Sequence, residues 1–395
     1  METQYDIKSR RFSMSVFKQL LRMISYLLYI SFLFILFVQP AASSPFTIRS
    51  EGVNLKVERV VDGLNVPWGL TFLSANKLLT TERSGSVLII DLEKDIRATL
   101  KNMPKIMVDG QGGMLDVALS PNYSKTGWVY FTYVQSVNGQ GVTVLARSKI
   151  KNNAFYQWQD LLVSKSTTDT SYHFGSRIAF DENGHVFFSI GDRGVRSNGQ
   201  DLTNHAGTII RLNLDGSIPN DNPFVNSKGV LPEIWSYGHR NPQGLVYDFS
   251  HKRLWSIEHG PRGGDEINLI LAGKNYGWPV ISHGKEYWGP LSVGEGTSRA
   301  GMEDPIKVYI PSIAPGSLMI YSSDTIPKWK GNLFSGALKL RHINRVVVDQ
   351  AGKEIKEERL FESMNERIRA LAQSPEGWIY FSTDSGKIYR IRPLE

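Results

Sequence analysis

The 395-residue sequence contains no cysteine. This absence excludes disulfide bonds, a thiolate nucleophile, zinc–cysteine sites and iron–sulfur clusters. The sequence also lacks a large excess of charge of one sign. Its net charge is +7, and part of this lies in residues 1–43, which contain five Lys/Arg but only two Asp/Glu. The remaining residues therefore carry only a mild positive excess and show no clustered basic stripe, so no nucleic acid partner is predicted.

Long amphipathic helical patterns are absent after residue 50. The chain consists instead of short apolar or alternating segments separated by Gly, Asn, Asp and Pro, which is the pattern of an all-β protein. Aromatic residues make up 11% of the sequence and are favoured in strands. We therefore expect strands to build nearly the whole fold.

The N-terminal segment has the order of a secretory signal peptide. A basic stretch is followed by the apolar run Ile24–Val38 and then by small residues around Ser43. The run of about 15 residues is short for a bilayer span, which needs roughly 20. Residues 1–43 are thus predicted to be a signal peptide, with an uncleaved N-terminal anchor as the alternative. Both interpretations place residues 44–395 outside the cytoplasm, in the periplasm or the medium, with membrane contact only if the segment is retained.

A two-part motif recurs six times along the chain. A turn leads into a short apolar strand, and a second turn and an aromatic or branched strand follow within about ten residues. The first parts lie at 66–72, 113–119, 175–180, 242–247, 315–320 and 367–372. The second parts lie at 76–80, 127–131, 184–188, 253–257, 332–336 and 377–381.

Six copies of this size predict a six-bladed β-propeller, since one blade of four antiparallel strands needs about 40–50 residues. Residues 44–395 would form this single domain. The segment Leu55–Val60 is expected to complete the last blade beside Ile388–Ile391, which would remove the open sheet edges. A pair of β-sandwiches is the alternative, but it does not explain six copies.

Polar side chains near the six inner strands are predicted to converge on the central channel, because loops on a rigid scaffold commonly carry function. These residues are Gln111, His173, Arg177, Arg240, Asn241, Arg367 and Arg369, with Lys339 beyond the fifth inner strand. Guanidinium groups fit carboxylates in a bidentate manner. The set therefore predicts a ligand with several carboxylates, or a phosphate.

Several ordered motifs resemble those of one enzyme family, the soluble glucose and aldose sugar dehydrogenases that use pyrroloquinoline quinone (PQQ). The resemblance covers about residues 50–393, and the compact length is more similar to the aldose sugar dehydrogenase branch. The motifs lie at His173–Arg177, Ile190–Gly194, Tyr237–Gly244, Glu258–Pro261, Asp265–Leu269 and Asn275–Pro279.

This resemblance implies a role for each matching residue. His173 would be the general base for the anomeric hydroxyl, and Asp192 would orient it; imidazole suits this task because its pKa lies near neutral pH. Arg240 would stabilise negative charge on the quinone oxygen. The cofactor pocket would be formed by Gln111, Arg240, Asn241, Lys339, Arg367 and Arg369, with Tyr287 as a weaker candidate.

The same resemblance implies calcium. The carbonyl groups of Gly260 and Pro261 would hold a Ca²⁺ ion against the cofactor, and hard oxygen ligands suit that ion. Glu266 and Tyr276 would contribute to a second, structural calcium site. Without the resemblance, the acidic pair at Asp265 and Glu266 is equally typical of a solvated turn.

The function expected is therefore oxidation of aldose sugars to lactones, with electrons passed to an external acceptor. A non-catalytic propeller that binds glycans or proteins is the alternative, since the fold alone does not determine function. A calcium-dependent lactonase on this fold would need carboxylates around a central metal, whereas the residues predicted to face this channel are mainly basic.

Overall fold

The computed structural model describes residues 46–394, together with Gln19 and Arg22 from the preceding segment. Residues 1–44 form a unit separate from residues 45–395. Apart from Gln19 and Arg22, the predicted signal peptide lies outside the described residues. Within the described part of the chain, no helix has the length and apolar character that a membrane span requires.

The described chain forms 25 strands. The first thirteen are β1 (Phe46–Ser50), β2 (Val53–Val61), β3 (Pro67–Ser74), β4 (Lys77–Glu82), β5 (Val87–Asp91), β6 (Ile96–Thr99), β7 (Met114–Leu119), β8 (Val129–Val137), β9 (Gln140–Lys151), β10 (Ala154–Val163), β11 (Ile178–Phe180), β12 (His185–Ile190) and β13 (Thr208–Asn213). The others are β14 (Ile234–Tyr237), β15 (Pro242–Asp248), β16 (Arg253–Glu258), β17 (Asp265–Ile270), β18 (Lys307–Tyr309), β19 (Pro315–Ile320), β20 (Leu333–Ala337), β21 (Ile343–Val348), β22 (Glu354–Leu360), β23 (Ile368–Gln373), β24 (Ile379–Thr383) and β25 (Ile388–Pro393). Helical turns in this region are short: α1 (Tyr123–Thr126) and three 3-10 turns at Arg196–Gln200, Pro327–Trp329 and Glu362–Met364.

These strands form six antiparallel sheets, which confirms the predicted six-bladed propeller. Five blades follow chain order, from β3–β6 to β19–β22, and the sixth has the order β1-β2-β25-β24-β23. The innermost strands are β3, β7, β11, β15, β19 and β23, and neighbours among them contact each other in a closed ring. All six predicted inner strands and their six partners are therefore confirmed.

The sixth blade closes the ring as expected, because β2 pairs with β25 with Val57 opposite Ile391 and Arg59 opposite Tyr389. The Glu58 carboxylate accepts hydrogen bonds from Arg390 at 2.8 Å and Arg392 at 3.1 Å across this seam. The sequence analysis did not predict β1, which adds a fifth strand outside β2.

The hydrophobic core lies between adjacent blades. Tyr130 in the second blade packs edge-on against Phe180 in the third, with ring centroids 5.0 Å apart. Phe72 in the first blade meets Tyr380 in the sixth at 4.8 Å in the same manner. Such aromatic pairs contribute beyond their buried area, so the aromatic residues of the recurring strands join the blades.

Two glycines at equivalent positions show why the inner strands share a sequence pattern. Gly69 in β3 and Gly244 in β15 each stand two residues after a proline. A Cβ atom on Gly69 would lie 2.9 Å from the backbone nitrogen of Val117, and one on Gly244 would lie 2.6 Å from that of Leu318. Inner strands of neighbouring blades thus approach too closely for a side chain there.

Candidate active site

A cavity of about 190 Å³ lies where the inner strands begin, at one end of the channel. Four of the predicted residues line it: Gln111, Asn241, Arg367 and Arg369. Apolar surface is contributed by Trp68, Leu115, Phe174 and Leu338. The other lining residues are mostly polar or charged, so polar groups from several loops converge here, including these four of the eight that the sequence predicted.

The cavity edge carries a histidine–carboxylate pair. His173 Nδ1 lies 2.7 Å from Asp192 Oδ1, and the backbone N–H of His173 donates to Gln111 Oε1 at 2.9 Å. His173 has a φ of +59°, a left-handed conformation that is uncommon for a non-glycine residue and concentrates at functional sites. The fold therefore holds the backbone at His173 in a strained conformation and its side chain against Asp192.

Burial acts in opposite directions on the pKa values of His173 and Asp192, but both pKa values end below their ordinary range. Burial lowers the pKa of His173 below its ordinary value, and the positive charge of Arg240 adds to this although the hydrogen bond to Asp192 opposes it. Burial tends to raise the pKa of Asp192, but the hydrogen bond from His173 and the charge of Arg240 outweigh it and the pKa is lowered. Near neutral pH the pair is thus a neutral imidazole beside an ionised carboxylate.

Asp192 is held by a residue to which the sequence analysis gave no role. Trp278 Nε1 donates to Asp192 Oδ2 at 2.8 Å, and the Gly194 N–H donates to Oδ1 at 2.8 Å. Trp278 belongs to a long insertion, residues 271–306, between β17 and β18. The motif around Trp278 was visible in the sequence, but its contact with a carboxylate 86 residues away was not.

The basic side of the cavity contains its own counter-ion. Arg369 donates to both carboxylate oxygens of Asp384, at 2.9 and 3.1 Å, and Arg367 Nε donates to Oδ2 at 2.8 Å. Burial would raise the pKa of Asp384, but Arg369 and Arg367 lower it. Asp384 lies in the turn between β24 and β25 and was missed because only residues near the inner strands were considered.

Arg240 lines a smaller cavity that shares His259 with the main one. Its Nη1 donates to the carbonyl oxygen of Gly260 at 2.8 Å and that of His259 at 3.1 Å. Its Nη2 lies 3.4 Å from the Tyr287 hydroxyl. The following residue, Asn241, is 1% exposed, and its Oδ1 accepts the Gly175 N–H at 3.2 Å.

Lys339 is exposed and does not line the cavity, although its neighbour Leu338 does. The structure gives the Lys339 ammonium no partner among the described residues. A flexible four-carbon stem leaves it able to move towards an anion.

Arg177 differs from its expected position, because it faces the other blades instead of a ligand. All five of its N–H groups are used, by the Asp116 carboxylate at 2.9 Å and by the carbonyl oxygens of Trp68, Gln243, Gly316 and Arg369 at 2.5 to 3.3 Å. These partners come from the five blades other than its own. Arg177 therefore joins its own blade to the five others by hydrogen bonds at the centre of the ring.

The smaller cavity is acidic and contains three residues predicted to serve calcium, Gly260, Glu266 and Tyr276. Glu266 and Tyr276 line it together with Glu258 and Gly260. Glu258 and Glu266 are directly opposed across β16 and β17, and burial and the charge of Glu258 raise the pKa of Glu266 to about 8. Opposed buried carboxylates of this kind suit a hard divalent cation that would keep both ionised.

The remaining calcium candidates offer backbone oxygens. The carbonyl of Gly260 accepts a hydrogen bond from Arg240, and that of Pro261 lies 3.4 Å from the Ser312 hydroxyl. The hydroxyl of Tyr276 is engaged with the backbone of Leu269 and Leu271, so a metal contact from Tyr276 requires its carbonyl. Among the described residues, no group of three His, Cys, Asp or Glu side chains could hold a metal alone.

Comparison with known proteins gives a consistent result across nearly the whole propeller. Residues 64–390 match the family model for glucose/sorbosone dehydrogenase. Aldose sugar dehydrogenase YliI of Escherichia coli is 34% identical over 90% of this chain and 98% of its own length. Quinoprotein glucose dehydrogenase B of Acinetobacter calcoaceticus is 29% identical over 76% of this chain and 67% of its own length. The crystal structure of the soluble Escherichia coli aldose sugar dehydrogenase in the apo form superposes with a TM-score of 0.83 at 34% identity, covering 86% of this chain and 100% of that one. The chain belongs to the glucose/sorbosone dehydrogenase family.

Proposed function

We propose that this protein is a PQQ-dependent aldose sugar dehydrogenase that oxidises the anomeric carbon of its substrate to a lactone. The observation that carries the proposal is the His173–Asp192 pair at the edge of a cavity with a basic wall. The aldose dehydrogenase and quinoprotein names of the relatives support the same substrate class and cofactor. A purely glycan-binding propeller is not favoured, since it would not need a carboxylate-paired imidazole on a left-handed backbone.

The proton chemistry follows from the tautomer that the pair requires. Ionised Asp192 accepts a hydrogen bond from Nδ1–H of His173, so the unprotonated Nε2 is the basic nitrogen. Nε2 takes the proton of the anomeric hydroxyl while the hydrogen on the same carbon leaves with its two electrons. The single bond between the anomeric carbon and its oxygen thereby becomes the C=O double bond of the lactone. When bound, the quinone supplies the acceptor for that hydride, and its electrons pass on to an external acceptor.

The residues of the cavity fit a flat cofactor with several carboxylates. Arg367 and Arg369 provide two guanidinium groups against a single internal carboxylate, Asp384, so this wall keeps an excess of positive charge. Gln111 and Asn241 add amide groups. Lys339 directly follows Leu338, which lines the cavity, so its long side chain would reach the cavity rim. Bidentate guanidinium–carboxylate contacts are both strong and directional, which accounts for the preference for arginine.

Arg240 is proposed to act on the reaction as well as on binding. Arg240 is 9% exposed, and its guanidinium is fixed by carbonyl groups of the loop after β16. A fixed positive charge in a site of low polarity stabilises charge that develops in the transition state. Arg240 would therefore favour the quinone oxygen becoming negative as hydride arrives.

Calcium is proposed to occupy two places. One ion would be held by the carbonyl oxygens of Gly260 and Pro261 and polarise the quinone. The other would be bound by Glu266, with the carbonyl of Tyr276, in the acidic cavity. The raised pKa of Glu266 supports this second site, because an opposed buried pair of carboxylates without a cation tends to keep a proton.

We also propose that residues 1–43 are removed on export and that the mature enzyme works outside the cytoplasm. The basic, apolar and small-residue order of the segment supports this. Sequencing the N-terminus of exported protein tests it, and a mature chain beginning at Met1 would refute cleavage.

The decisive experiment reconstitutes the apo protein with PQQ and Ca²⁺ and measures dye reduction with a panel of aldoses. His173→Ala should lower kcat by roughly 10²–10⁴-fold, the usual contribution of general base catalysis. The matched control is His185→Ala, because His185 pairs with Asp181 at the same 2.7 Å and with similar burial, but begins β12 at the opposite end of the blade. Turnover unaffected by His173→Ala, or lost equally in both variants, would refute the assignment.

A further inference from the structure

An aromatic loop, residues 284–291, borders the site and is firmly anchored. Glu286 forms a bidentate ion pair with Arg196, with both distances 2.7 Å. Arg262 Nη2 donates to the Gly289 carbonyl at 2.8 Å, and the backbones of Arg262 and Lys285 exchange hydrogen bonds at 3.1 and 3.2 Å. The loop is thus tied on both sides to elements that form the site.

This anchored loop presents apolar side chains to solvent. Trp288 is 74% exposed, Tyr287 64% and Leu291 58%. The Trp288 ring makes no ring contact with any other side chain in the described part of the chain. Scattered exposed apolar residues are ordinary, but a cluster on a fixed segment at the edge of a cavity is typical of a binding surface.

The aromatic loop lies directly beside the reacting groups. The Tyr287 hydroxyl is 3.4 Å from Arg240 Nη2, and Arg240 contributes to the walls of the smaller cavity. On the other side, Tyr172 is 41% exposed and its ring centroid lies 4.8 Å from that of His173. Each of the two side chains proposed to carry the chemistry therefore has an exposed aromatic neighbour.

We propose that Trp288 is a specificity-determining residue that stacks against the second sugar unit of an oligosaccharide substrate. The inference rests on the proposed function. Tyr287 contacts Arg240, which lies where the quinone and the oxidised sugar ring would meet, whereas Trp288 is one residue further along and more exposed. A sugar ring has an apolar C–H face that packs on an aromatic ring, and such rings commonly line ligand sites. A monosaccharide would contact Tyr287 but not extend to Trp288.

The test compares glucose with cellobiose, a flat disaccharide whose reducing unit is the same glucose ring. Trp288→Ala should lower the ratio of kcat/KM for cellobiose to that for glucose by about five-fold, the size of one aromatic packing contact. The change should lie mainly in KM, and Trp288→Phe should retain most of the ratio. Phe249→Ala is the matched control, because Phe249 is 60% exposed in the turn that follows β15, away from the channel mouth.

The outcomes separate this inference from the proposed function. Wild-type protein that oxidises neither sugar would refute the proposed function itself. Wild-type protein that oxidises both, with an unchanged ratio in Trp288→Ala, would refute only the role of Trp288. A higher KM for the dye with an unchanged sugar ratio would assign the aromatic loop to the electron acceptor and would likewise overturn the inference. Melting curves of both Trp288 variants would show that the loop change leaves the fold intact.

Discussion

Replacing Arg177 with methionine should strongly destabilise the propeller without removing any apolar core. Methionine keeps an unbranched apolar stem but has none of the five N–H donors of arginine. The four carbonyl oxygens would lose this donor, and the Asp116 carboxylate would lose its ion pair while keeping the hydrogen bond from the Ile178 N–H at 3.0 Å. Asp116 is buried, and its pKa is already raised by burial although Arg177 opposes the shift.

The magnitude follows from the cost of a buried charge left unpaired. Removing one partner of a buried ion pair costs about 3–5 kcal/mol of unfolding free energy. For a domain of about 350 residues this corresponds to a decrease in Tm of roughly 4–7 °C. The loss of the contact between the guanidinium and the Trp68 ring, 3.9 Å from its centroid, acts in the same direction.

Calorimetric melting of wild-type protein and three variants tests this reasoning. Arg177→Met combined with Asp116→Asn should recover part of the loss, because the second change removes the unpaired charge. Arg299→Met is the control, since Arg299 is half exposed and its ion pair with Glu295 lies within one surface turn; it should change the free energy by less than about 1 kcal/mol. A single Arg177 variant as stable as this control, or a double variant no better than the single, would refute the argument.

The remaining predictions concern the site and the blade closure. The acid limb of the kcat/KM profile should lie below the ordinary histidine pKa, because burial lowers the pKa of His173, and Asp192→Asn should move it lower still. Trp278→Phe should reduce kcat while quinone affinity, followed by absorbance titration, is retained; equal loss of both would contradict a positioning role. Arg367→Ala should weaken quinone binding and be partly rescued by excess cofactor in the same assay. Glu58→Gln should lower Tm at neutral pH. Burial would raise the pKa of Glu58, but Lys56 and two arginines outweigh it and lower the pKa to about 2 in the folded state. The difference in Tm from wild type should therefore shrink as pH falls from 4.5 to about 2, and a difference independent of pH would refute the ionic contribution.

The blade repeat could be predicted because its signals are local. A turn and an apolar strand recur within a few residues in all six copies. In two of them, at Gly69 and Gly244, the close approach of inner strands requires a glycine two residues after a proline. The outer strands carry a weaker signal. β6 and β22, for example, are largely exposed, so little apolar alternation marks them. β1 has no counterpart in the other blades, which explains why it was not predicted.

The parts of the site that were not predicted depend on contacts between distant residues. Arg177 was grouped with the ligand-facing cations because its position in the repeat resembles theirs. Its partners lie 61 to 192 residues away, and nothing near Arg177 in sequence shows that five blades direct oxygen atoms at it. Trp278 reaches Asp192 from an insertion that is absent from the other blades. Tyr287, which the sequence analysis names as a weaker candidate for the cofactor pocket, lies on the same insertion. Asp384 lies in a turn outside the inner-strand pattern.

Two histidine–aspartate pairs in the third blade show that geometry alone does not give a residue its function. His173 with Asp192 and His185 with Asp181 have the same 2.7 Å separation, and both pairs are largely buried. The turn before β12 places His185 at the end of the blade away from the cavity. The loop before β11 instead holds His173 in a strained conformation at the channel mouth, where the charge of Arg240 adds to burial in lowering its pKa. The proposed general-base chemistry of His173 therefore depends on which end of the blade the pair occupies, and the blade repeat determines that end.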